Sequence, residues 1–379
     1  MSARGVPFLR SELMRIAILG TRGIPASYGG FETFAEELSV RLVRRGHDVT
    51  VYGRSPWPEP VWRGVRLRYI PPVRHKYLET VAHTFFSTLD LMRRPPDVAL
   101  YCNAANAVFT PLARRAGARV ALNVDGLERK RKKWNALARL WYHVSEGLAT
   151  FCPDVMITDA GEIQRYYLEN YGAKSVFIPY GAETGKVETR AALDALGLEP
   201  GGYFLYVTRF EPENNPLMVR RAFERVSTDL RLVLVGDAPY AQDYIRQVKD
   251  TRDPRILFPG AIYGPGYREL QSHCHAYIHA TEVGGTHPAL LEAMGRGALV
   301  LYLSTPENEE VAGGVGLPFH DEDSLARRLR ESLAMPEAER RRLGEAAMRR
   351  VEQRYGWEAV TDAYERLFEQ LLAGGPHLG

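Results

Sequence analysis

Two segments of the sequence place a pair of glycines directly before a helical pattern. The first, residues 20–30, ends in Gly29 and Gly30. The second, residues 281–287, also contains a glycine pair before a predicted helix. Neighbouring glycines let backbone amides approach a ligand closely, and a helix N-terminus carries roughly half a positive charge. Both segments could therefore bind a phosphate; for residues 20–30 a plain strand-to-helix turn is the alternative.

Two charged residues near these segments have the chemistry to complete a nucleotide site. Arg209 follows a strand pattern and can clamp a phosphate with two hydrogen bonds, whereas an ion pair with Glu211 or Glu213 is the alternative. Glu292 lies one turn into the second helix, where a carboxylate can accept hydrogen bonds from two ribose hydroxyls. A solvated helix residue is the alternative there. Two glycine segments and an arginine together favour a diphosphate site.

Other acidic residues are open to several interpretations. Asp125 follows a strand pattern and could orient an acceptor hydroxyl, or simply form an Asp-Gly turn. Asp321 and Asp323 resemble an Asp-x-Asp metal pair, but they precede a helical pattern, where acidic residues are typical caps. We therefore predict that no metal is bound.

A basic amphipathic segment spans residues 129–148. Five consecutive basic residues, 129–133, precede an apolar stripe made of Trp134, Leu137, Trp141, Val144 and Leu148. A basic helix with aromatic residues on its apolar face is typical of a membrane surface contact. Packing of the stripe into the core is a close alternative, and nucleic-acid binding is a weaker one that we set aside.

The elements that must position these residues alternate between strand and helix. The predicted strands fall in two series, at 15–19, 48–52, 97–101, 119–124, 154–158 and 175–179, and then at 203–208, 231–235, 255–258, 276–279 and 298–303. Helical patterns lie between them, and the chain is nearly all helical from residue 324. The alternation predicts two Rossmann-like, doubly wound parallel-sheet domains facing each other across a cleft, with ligands at the carboxyl ends of the strands.

Composition limits the classes of protein that the chain can represent. Its 379 residues are 45% apolar and 25% charged, as in soluble globular proteins, and the net charge of +3 is too small for a general polyanion binder. Three scattered cysteines fit a reducing cytoplasm. We expect a loose tail over 1–13 rather than a signal peptide, an N-terminal domain over 14–185, a C-terminal domain over 186–350, and helices over 351–379 that pack back on the first domain.

Four motifs together resemble those of the retaining GT-B glycosyltransferases of family 4. They lie at residues 20–32, 123–128, 209–215 and 283–294. The combination is similar to a bacterial branch that includes rhamnosyltransferases of cell-surface polysaccharide assembly. The resemblance implies a metal-independent enzyme without a cofactor, which moves a sugar, rhamnose being a candidate, from a nucleotide-diphosphate sugar to a glycan or lipid-linked acceptor. It would act in the cytoplasm, with peripheral contact at the inner membrane face.

The resemblance also implies roles for individual residues. Arg209, Asp125 and Glu32 would be catalytic, with Arg209 holding the leaving diphosphate and the two carboxylates positioning the acceptor. The other expected donor contacts are Gly29, Gly30, Gly285, Thr286 and His287 for the diphosphate, Glu292 for the ribose, and Ala261, Ile262 and Tyr263 for the base.

The sequence departs from the family pattern at two positions. Gly284 stands where a sugar-reading glutamate is usual, and Asn214 stands where a phosphate-neutralising lysine is usual, a charge that Arg22 could replace. These departures favour one alternative, a catalytically silent scaffold homologue. The fold leaves a second alternative open, because it also occurs in nucleotide-sugar epimerases.

Overall fold

A computed structural model of the protein describes residues 13–26, 29–73, 79–130, 135–237 and 242–374. Apart from Leu13, the predicted N-terminal tail lies outside the described residues. The described part of the chain contains no helix that is both long and apolar enough to cross a lipid bilayer.

The first half of the described chain forms an eight-stranded sheet with helices on its faces. Its strands are β1 (Arg15–Leu19), β2 (Asp48–Gly53), β3 (Val61–Trp62), β4 (Val65–Tyr69), β5 (Val98–Cys102), β6 (Arg119–Asn123), β7 (Val155–Thr158) and β8 (Val176–Phe177). The strand order is β3-β4-β2-β1-β5-β6-β7-β8, and only the β3–β4 pair is antiparallel among these strands. The helices are α1 (Gly30–Arg44), α2 (Glu79–Leu91), α3 (Thr110–Arg115), α4 (Ala136–Ala149) and α5 (Gly161–Tyr171).

The second half of the described chain forms a six-stranded parallel sheet. After helix α6 (Ala191–Leu196), its strands are β9 (Tyr203–Val207), β10 (Arg231–Val235), β11 (Ile256–Gly260), β12 (Ala276–His279), β13 (Val300–Leu303) and β14 (Leu317–Phe319), in the order β11-β10-β9-β12-β13-β14. The remaining helices are α7 (Pro216–Glu224), α8 (Gln242–Lys249), α9 (Gly264–His273), α10 (Pro288–Gly295), α11 (Pro306–Ala312), α12 (Glu322–Ala334), α13 (Glu337–Arg354) and α14 (Trp357–Leu372).

The predicted architecture of two parallel α/β sheets is confirmed. Strands β1, β10 and β12 have the predicted bounds, and the others differ by one to a few residues at their ends. Their short apolar runs are buried almost throughout, as expected for parallel strands covered by helices on both faces. The sequence reading missed the β3–β4 hairpin, in which the two-residue strand β3 forms the sheet edge and β4 alternates charged and apolar residues, a strand pattern that was overlooked.

The last helix, α14, packs against α1 at the start of the chain. Arg45 forms ion pairs with Glu358, Asp362 and Glu365 of α14, and the ring of Tyr364 lies 5.3 Å from that of Phe34. The apolar cluster at this contact is continuous with residues of both sheets. The two sheets are thus held with the carboxyl ends of their strands toward a shared cleft. The domain boundaries at residues 185 and 350 stay predictions.

Candidate active site

A cavity of about 1000 Å³ lies between the two sheets at the carboxyl ends of their strands. Its volume is at the upper end of the range for small-molecule sites. Every predicted site residue lines it, namely Gly29, Gly30, Glu32, Asp125, Arg209, Ala261, Ile262, Tyr263, Gly285, Thr286, His287 and Glu292. The structure therefore brings together residues that are spread over more than 250 positions of the sequence.

The first glycine segment is braced by carboxylates of the helix that follows it. Glu32 is buried in the first turn of α1, and its Oε1 accepts a hydrogen bond of 2.9 Å from the Arg22 amide. Glu36 accepts one of 2.7 Å from the Ala26 amide. The predicted acceptor-positioning residue Glu32 therefore also holds the loop in shape, and its other carboxylate oxygen lies beside Gly29.

The two domains approach each other closely at two glycines of the first domain, Gly126 and Gly30. A Cβ atom on Gly126 would lie 2.5 Å from the carbonyl carbon of Gly284 and 2.7 Å from the amide nitrogen of Gly285. A Cβ atom on Gly30 would lie 2.9 Å from Cγ of Pro288. Such distances are far inside van der Waals contact, so this closed arrangement requires glycine on the first-domain side.

A buried carboxylate of the first domain, Asp159, contacts the second glycine segment. Its Oδ2 accepts a hydrogen bond of 3.2 Å from the Thr286 amide, and its backbone oxygen accepts one from the Thr286 hydroxyl. Burial, and then the charge of Asp125, raise the pKa of Asp159 well above its ordinary value. Sequence reasoning missed Asp159, whose position directly after strand β7 was the available signal.

Arg209 extends from the loop that follows β9. It lines the cavity, and the carboxylate of Glu213 is buried without a hydrogen-bond partner among the described residues, so the alternative pairing with Glu213 is wrong. The Asn214 amide donates a hydrogen bond of 2.8 Å to the Arg209 carbonyl oxygen. Asn214, which also lines the cavity, thus supports the backbone of Arg209.

The first-domain wall carries two further arginines, Arg22 and Arg54. Arg54 is buried, and its guanidinium bonds the carboxylate of Glu79 at 3.3 Å and the hydroxyl of Thr80 at 3.1 Å. Burial, with Arg22 as a like charge, lowers its pKa below the ordinary value for arginine. Arg54 was not among the predicted site residues, and it adds a guanidinium to the first-domain wall of the cavity.

Glu292 has the environment expected of a group that binds hydroxyls. Its Oε2 accepts a hydrogen bond of 2.6 Å from the Tyr267 hydroxyl, which accepts one of 2.8 Å from the Gln271 amide. Burial raises the pKa of Glu292 to about 7. The carboxylate is therefore oriented before any ligand arrives, and half of it is ionised near neutral pH.

The remaining predicted residues line the cavity from loops of different domains. Asp125 has a positive φ of 59°, and its amide donates to Asn123 Oδ1 at 3.0 Å. The amide group of Asn123 in turn contacts the hydroxyl of Tyr364 at 2.9 Å, so α14 steadies the acceptor-side loop. In the second domain, residues 261–263 follow β11, with Tyr263 about half exposed at the rim.

Helix α4 has its apolar stripe largely on the outside. Leu137, Trp141 and Val144 are exposed, so the core-packing alternative is wrong for these three residues, while Leu148 is packed against the core. Trp134 and the basic residues 131–133 lie outside the described residues. The expectation that Arg129 belongs to the basic surface is corrected, because its guanidinium turns inward to Glu146 at 2.9 Å and Tyr166 at 2.6 Å.

The acidic pair at the start of α12 has a structural role. Asp321 caps the helix by accepting a hydrogen bond of 2.7 Å from the Ser324 amide, and Asp323 forms an ion pair with Arg225 at 2.5 Å. The capping role expected for Asp321 is therefore confirmed.

Comparison with known proteins matches each half of the chain to a glycosyl transferase family. Residues 29–181 match the family described as glycosyl transferase 4-like domain, and residues 201–335 match the family described as glycosyl transferases group 1. A curated relative, O-antigen chain mannosyltransferase C of Escherichia coli, is 24% identical over 95% of this chain and 99% of its own length.

Solved structures share the fold at low sequence identity. Sucrose-phosphate synthase of Thermosynechococcus elongatus superposes with a TM-score of 0.77 at 20% identity, over 95% of this chain and 100% of that one. HepE of Anabaena, in complex with UDP-glucose, superposes with a TM-score of 0.75 at 16% identity, over 93% of this chain and 99% of the HepE chain. The chain thus combines a glycosyl transferase 4-like domain with a glycosyl transferases group 1 domain in the GT-B fold, and it is a nucleotide-sugar-dependent glycosyltransferase.

Proposed function

We propose that the protein transfers a sugar, with retained configuration, from a nucleotide-diphosphate sugar to a hydroxyl of a glycan or lipid-linked acceptor in cell-surface polysaccharide synthesis. The main support is the convergence of Arg209 and Glu292 from one domain and the Gly29-Gly30 segment from the other on a single cavity. A diphosphate fits between the arginine and the helix N-termini, and Glu292 receives the ribose.

The residues suggest how the transfer proceeds. The bond between the anomeric carbon and the diphosphate oxygen breaks, and Arg209 and the helix amides stabilise the negative charge of the leaving group. Fixed donors of this kind are worth several kcal/mol in a site that excludes water. The acceptor oxygen forms its bond to the anomeric carbon from the same face, and its proton passes to the departing phosphate oxygen. Asp125 and Glu32 position the acceptor, and no metal is needed.

The transferred sugar is a hexose, with rhamnose the candidate from the sequence motifs. The curated relative is named as a mannosyltransferase of O-antigen chains, which supports a polysaccharide acceptor. A lipid-linked acceptor is supported by α4, where Leu137, Leu140, Trp141 and Val144 are all exposed. A cluster of exposed apolar side chains on one helix can insert into the interface of a bilayer.

The test is calorimetric binding followed by transfer, both in EDTA. We expect one donor among dTDP-rhamnose, UDP-glucose, UDP-GlcNAc and GDP-mannose to bind selectively, and NMR of the product to show retained anomeric configuration. Inversion, or absence of binding to every donor, would contradict the proposal. Conversion of a donor to an isomer without any acceptor would identify an epimerase instead.

A further inference from the structure

A buried histidine at the floor of the cavity has no hydrogen-bond partner in the described structure. His279 ends strand β12 and is almost fully buried, yet neither ring nitrogen bonds any described residue. Burial, and then the nearby His287, lower its pKa well below the ordinary value, so the ring is neutral. A neutral imidazole offers one donor and one acceptor, and leaving both unused in a buried place is unfavourable. Because His279 lines the cavity, a ligand can supply the missing partners.

A second histidine of the same cavity wall has a fixed orientation. The His287 ring lies 4.9 Å from the His279 ring, and its Nδ1 lies 2.6 Å from Asn308 Oδ1. The amide nitrogen of Asn308 donates to the carbonyl oxygens of Thr281 at 3.1 Å and Leu303 at 2.8 Å. Asn308 Oδ1 is therefore the acceptor, and His287 carries its proton on Nδ1. In the neutral ring, Nε2 is then an acceptor.

The space beside His287 is available only because residue 284 is glycine. A Cβ atom at position 284 would overlap Nε2 of the His287 ring. The His287 ring thus occupies the space in the cavity wall that a side chain at position 284 would need. Any polar recognition at this point of the wall has to come from the histidines.

We propose that His279 and His287 together recognise hydroxyl groups of the donor sugar, with Asn308 as the residue that positions His287. This inference rests on the proposed function and specifies its sugar pocket. His287 lies on the loop that also carries Gly284 and Gly285, where the two domains meet, and His279 ends the strand that leads into this loop. The transferred sugar has to lie at that junction to reach its acceptor. The neutral imidazole of His279 suits uncharged hydroxyls, which both donate and accept hydrogen bonds.

The test separates binding of the sugar from binding of the nucleotide. Calorimetry measures Kd for the donor and for the same nucleoside diphosphate without sugar, and the ratio of the two is the sugar preference. We expect His279→Leu and His287→Phe each to reduce this preference five- to tenfold, the worth of about one hydrogen bond. The diphosphate contact expected of residue 287 is through its backbone amide, which phenylalanine keeps, so Kd for the nucleoside diphosphate should change less than twofold.

A matched control lies directly before the same strand. His275 is buried at the opposite end of β12 and its Nε2 contacts the Ser332 carbonyl oxygen at 3.2 Å, away from the cavity. His275→Leu should leave the sugar preference unchanged. Asn308→Leu should lower the sugar preference while Kd for the nucleoside diphosphate stays within twofold of the wild-type value. A purely structural role for Asn308 would weaken both ligands alike.

Several outcomes overturn the inference. An unchanged sugar preference in folded His279→Leu and His287→Phe would do so while leaving the proposed function intact. If these variants do not fold, wild-type protein is titrated with donors that each lack one sugar hydroxyl. One analogue must then bind five- to tenfold more weakly, and equal binding of all of them overturns the inference. Absence of nucleoside diphosphate binding by the wild type would instead overturn the proposed function as well.

Discussion

The carboxylate of Asp159 in one domain accepts a hydrogen bond of 3.2 Å from the amide of Thr286 in the other. That amide belongs to the segment expected to contact the donor diphosphate. At the interface of the two domains, a carboxyl group of the first domain therefore occupies an amide that we expect to donate a hydrogen bond to the phosphate. A donor phosphate at Thr286 has to share this amide with Asp159 or displace it.

Replacing Asp159 tests the cost of this buried carboxyl group. Its pKa is higher in the folded protein than in the unfolded chain, where it is about 4. Below about pH 4 the carboxyl group is neutral in both states and costs no stability. As the pH rises through the folded pKa, this stability is lost, because the buried group has to carry a charge. Asp159→Asn keeps the acceptor without the charge. We expect the variant to be more stable than wild type, and by a larger margin at pH 8 than at pH 5, in thermal unfolding.

Asp154 offers the contrasting control for that measurement. It precedes the same strand, pairs with Arg114 at 2.9 Å and accepts the Val120 amide at 2.7 Å. Because its negative charge is used by these partners, Asp154→Asn should lower stability. If Asp159→Asn lost as much stability as Asp154→Asn, the prediction would be contradicted, because the charge of Asp159 would then be stabilised by its surroundings as well as that of Asp154.

The pH dependence of donor binding should follow Glu292. Its pKa is raised to about 7, and the ionised carboxylate accepts hydrogen bonds from two ribose hydroxyls better than the neutral acid. The ionised fraction rises about tenfold between pH 6 and pH 8, so donor affinity should rise by up to about that factor. In Glu292→Gln, calorimetry should give weak binding with a flat pH profile. A steep profile in that variant would assign the titration to another group.

Closure of the cleft should depend on the absence of a side chain at Gly126. Alanine there would bring a Cβ atom 2.5 Å from the Gly284 carbonyl carbon, so the domains could not meet as they do. We expect Gly126→Ala to reduce kcat at least tenfold while Kd for the nucleoside diphosphate changes less than threefold. Gly147→Ala is the control, since a Cβ atom there has an ordinary contact of 3.9 Å and alanine favours the α4 helix. Wild-type kcat in Gly126→Ala would show that this closed contact is dispensable.

The exposed face of α4 should contribute to vesicle binding. Leu137 is 75% and Val144 48% exposed, so replacing both with serine removes apolar contact area without disturbing the core. We expect the double variant to sediment less with phosphatidylglycerol vesicles and to keep its affinity for the donor. Leu168→Ser on α5, where the leucine is 51% exposed, is the control for loss of an apolar surface residue elsewhere. Equal sedimentation of all three proteins would exclude α4 as a membrane contact.

Predictions from the sequence succeeded where the fold itself determines position. Arg209, Asp125 and Glu292 were placed in a cleft because residues after parallel strands gather at one sheet edge. Asp159 follows a strand and His279 ends one, so both also lie at this edge. Their importance, however, depends on the contact of Asp159 across the cleft and on the burial of His279 in the cavity wall. Those contacts join residues far apart in the chain, and no local pattern encodes them.

The orientation of surface helices was predicted less well. The sequence showed an apolar stripe on α4, but a stripe can face a core or a membrane equally well. The structure separates the two because Glu146 and Tyr142 occupy the buried face instead. Arg129 turns inward for the same reason, since the Glu146 carboxylate is buried and requires a cation.

The central claim is that Arg209 stabilises the diphosphate leaving group of a sugar donor. The most direct measurement is kcat/KM for transfer by wild type, Arg209→Lys and Arg209→Ala with the donor selected by calorimetry. We expect Arg209→Ala to lose at least about 100-fold, or roughly 2.7 kcal/mol of transition-state stabilisation, and Arg209→Lys to recover part of it. A loss of less than tenfold in a folded Arg209→Ala variant would contradict the account.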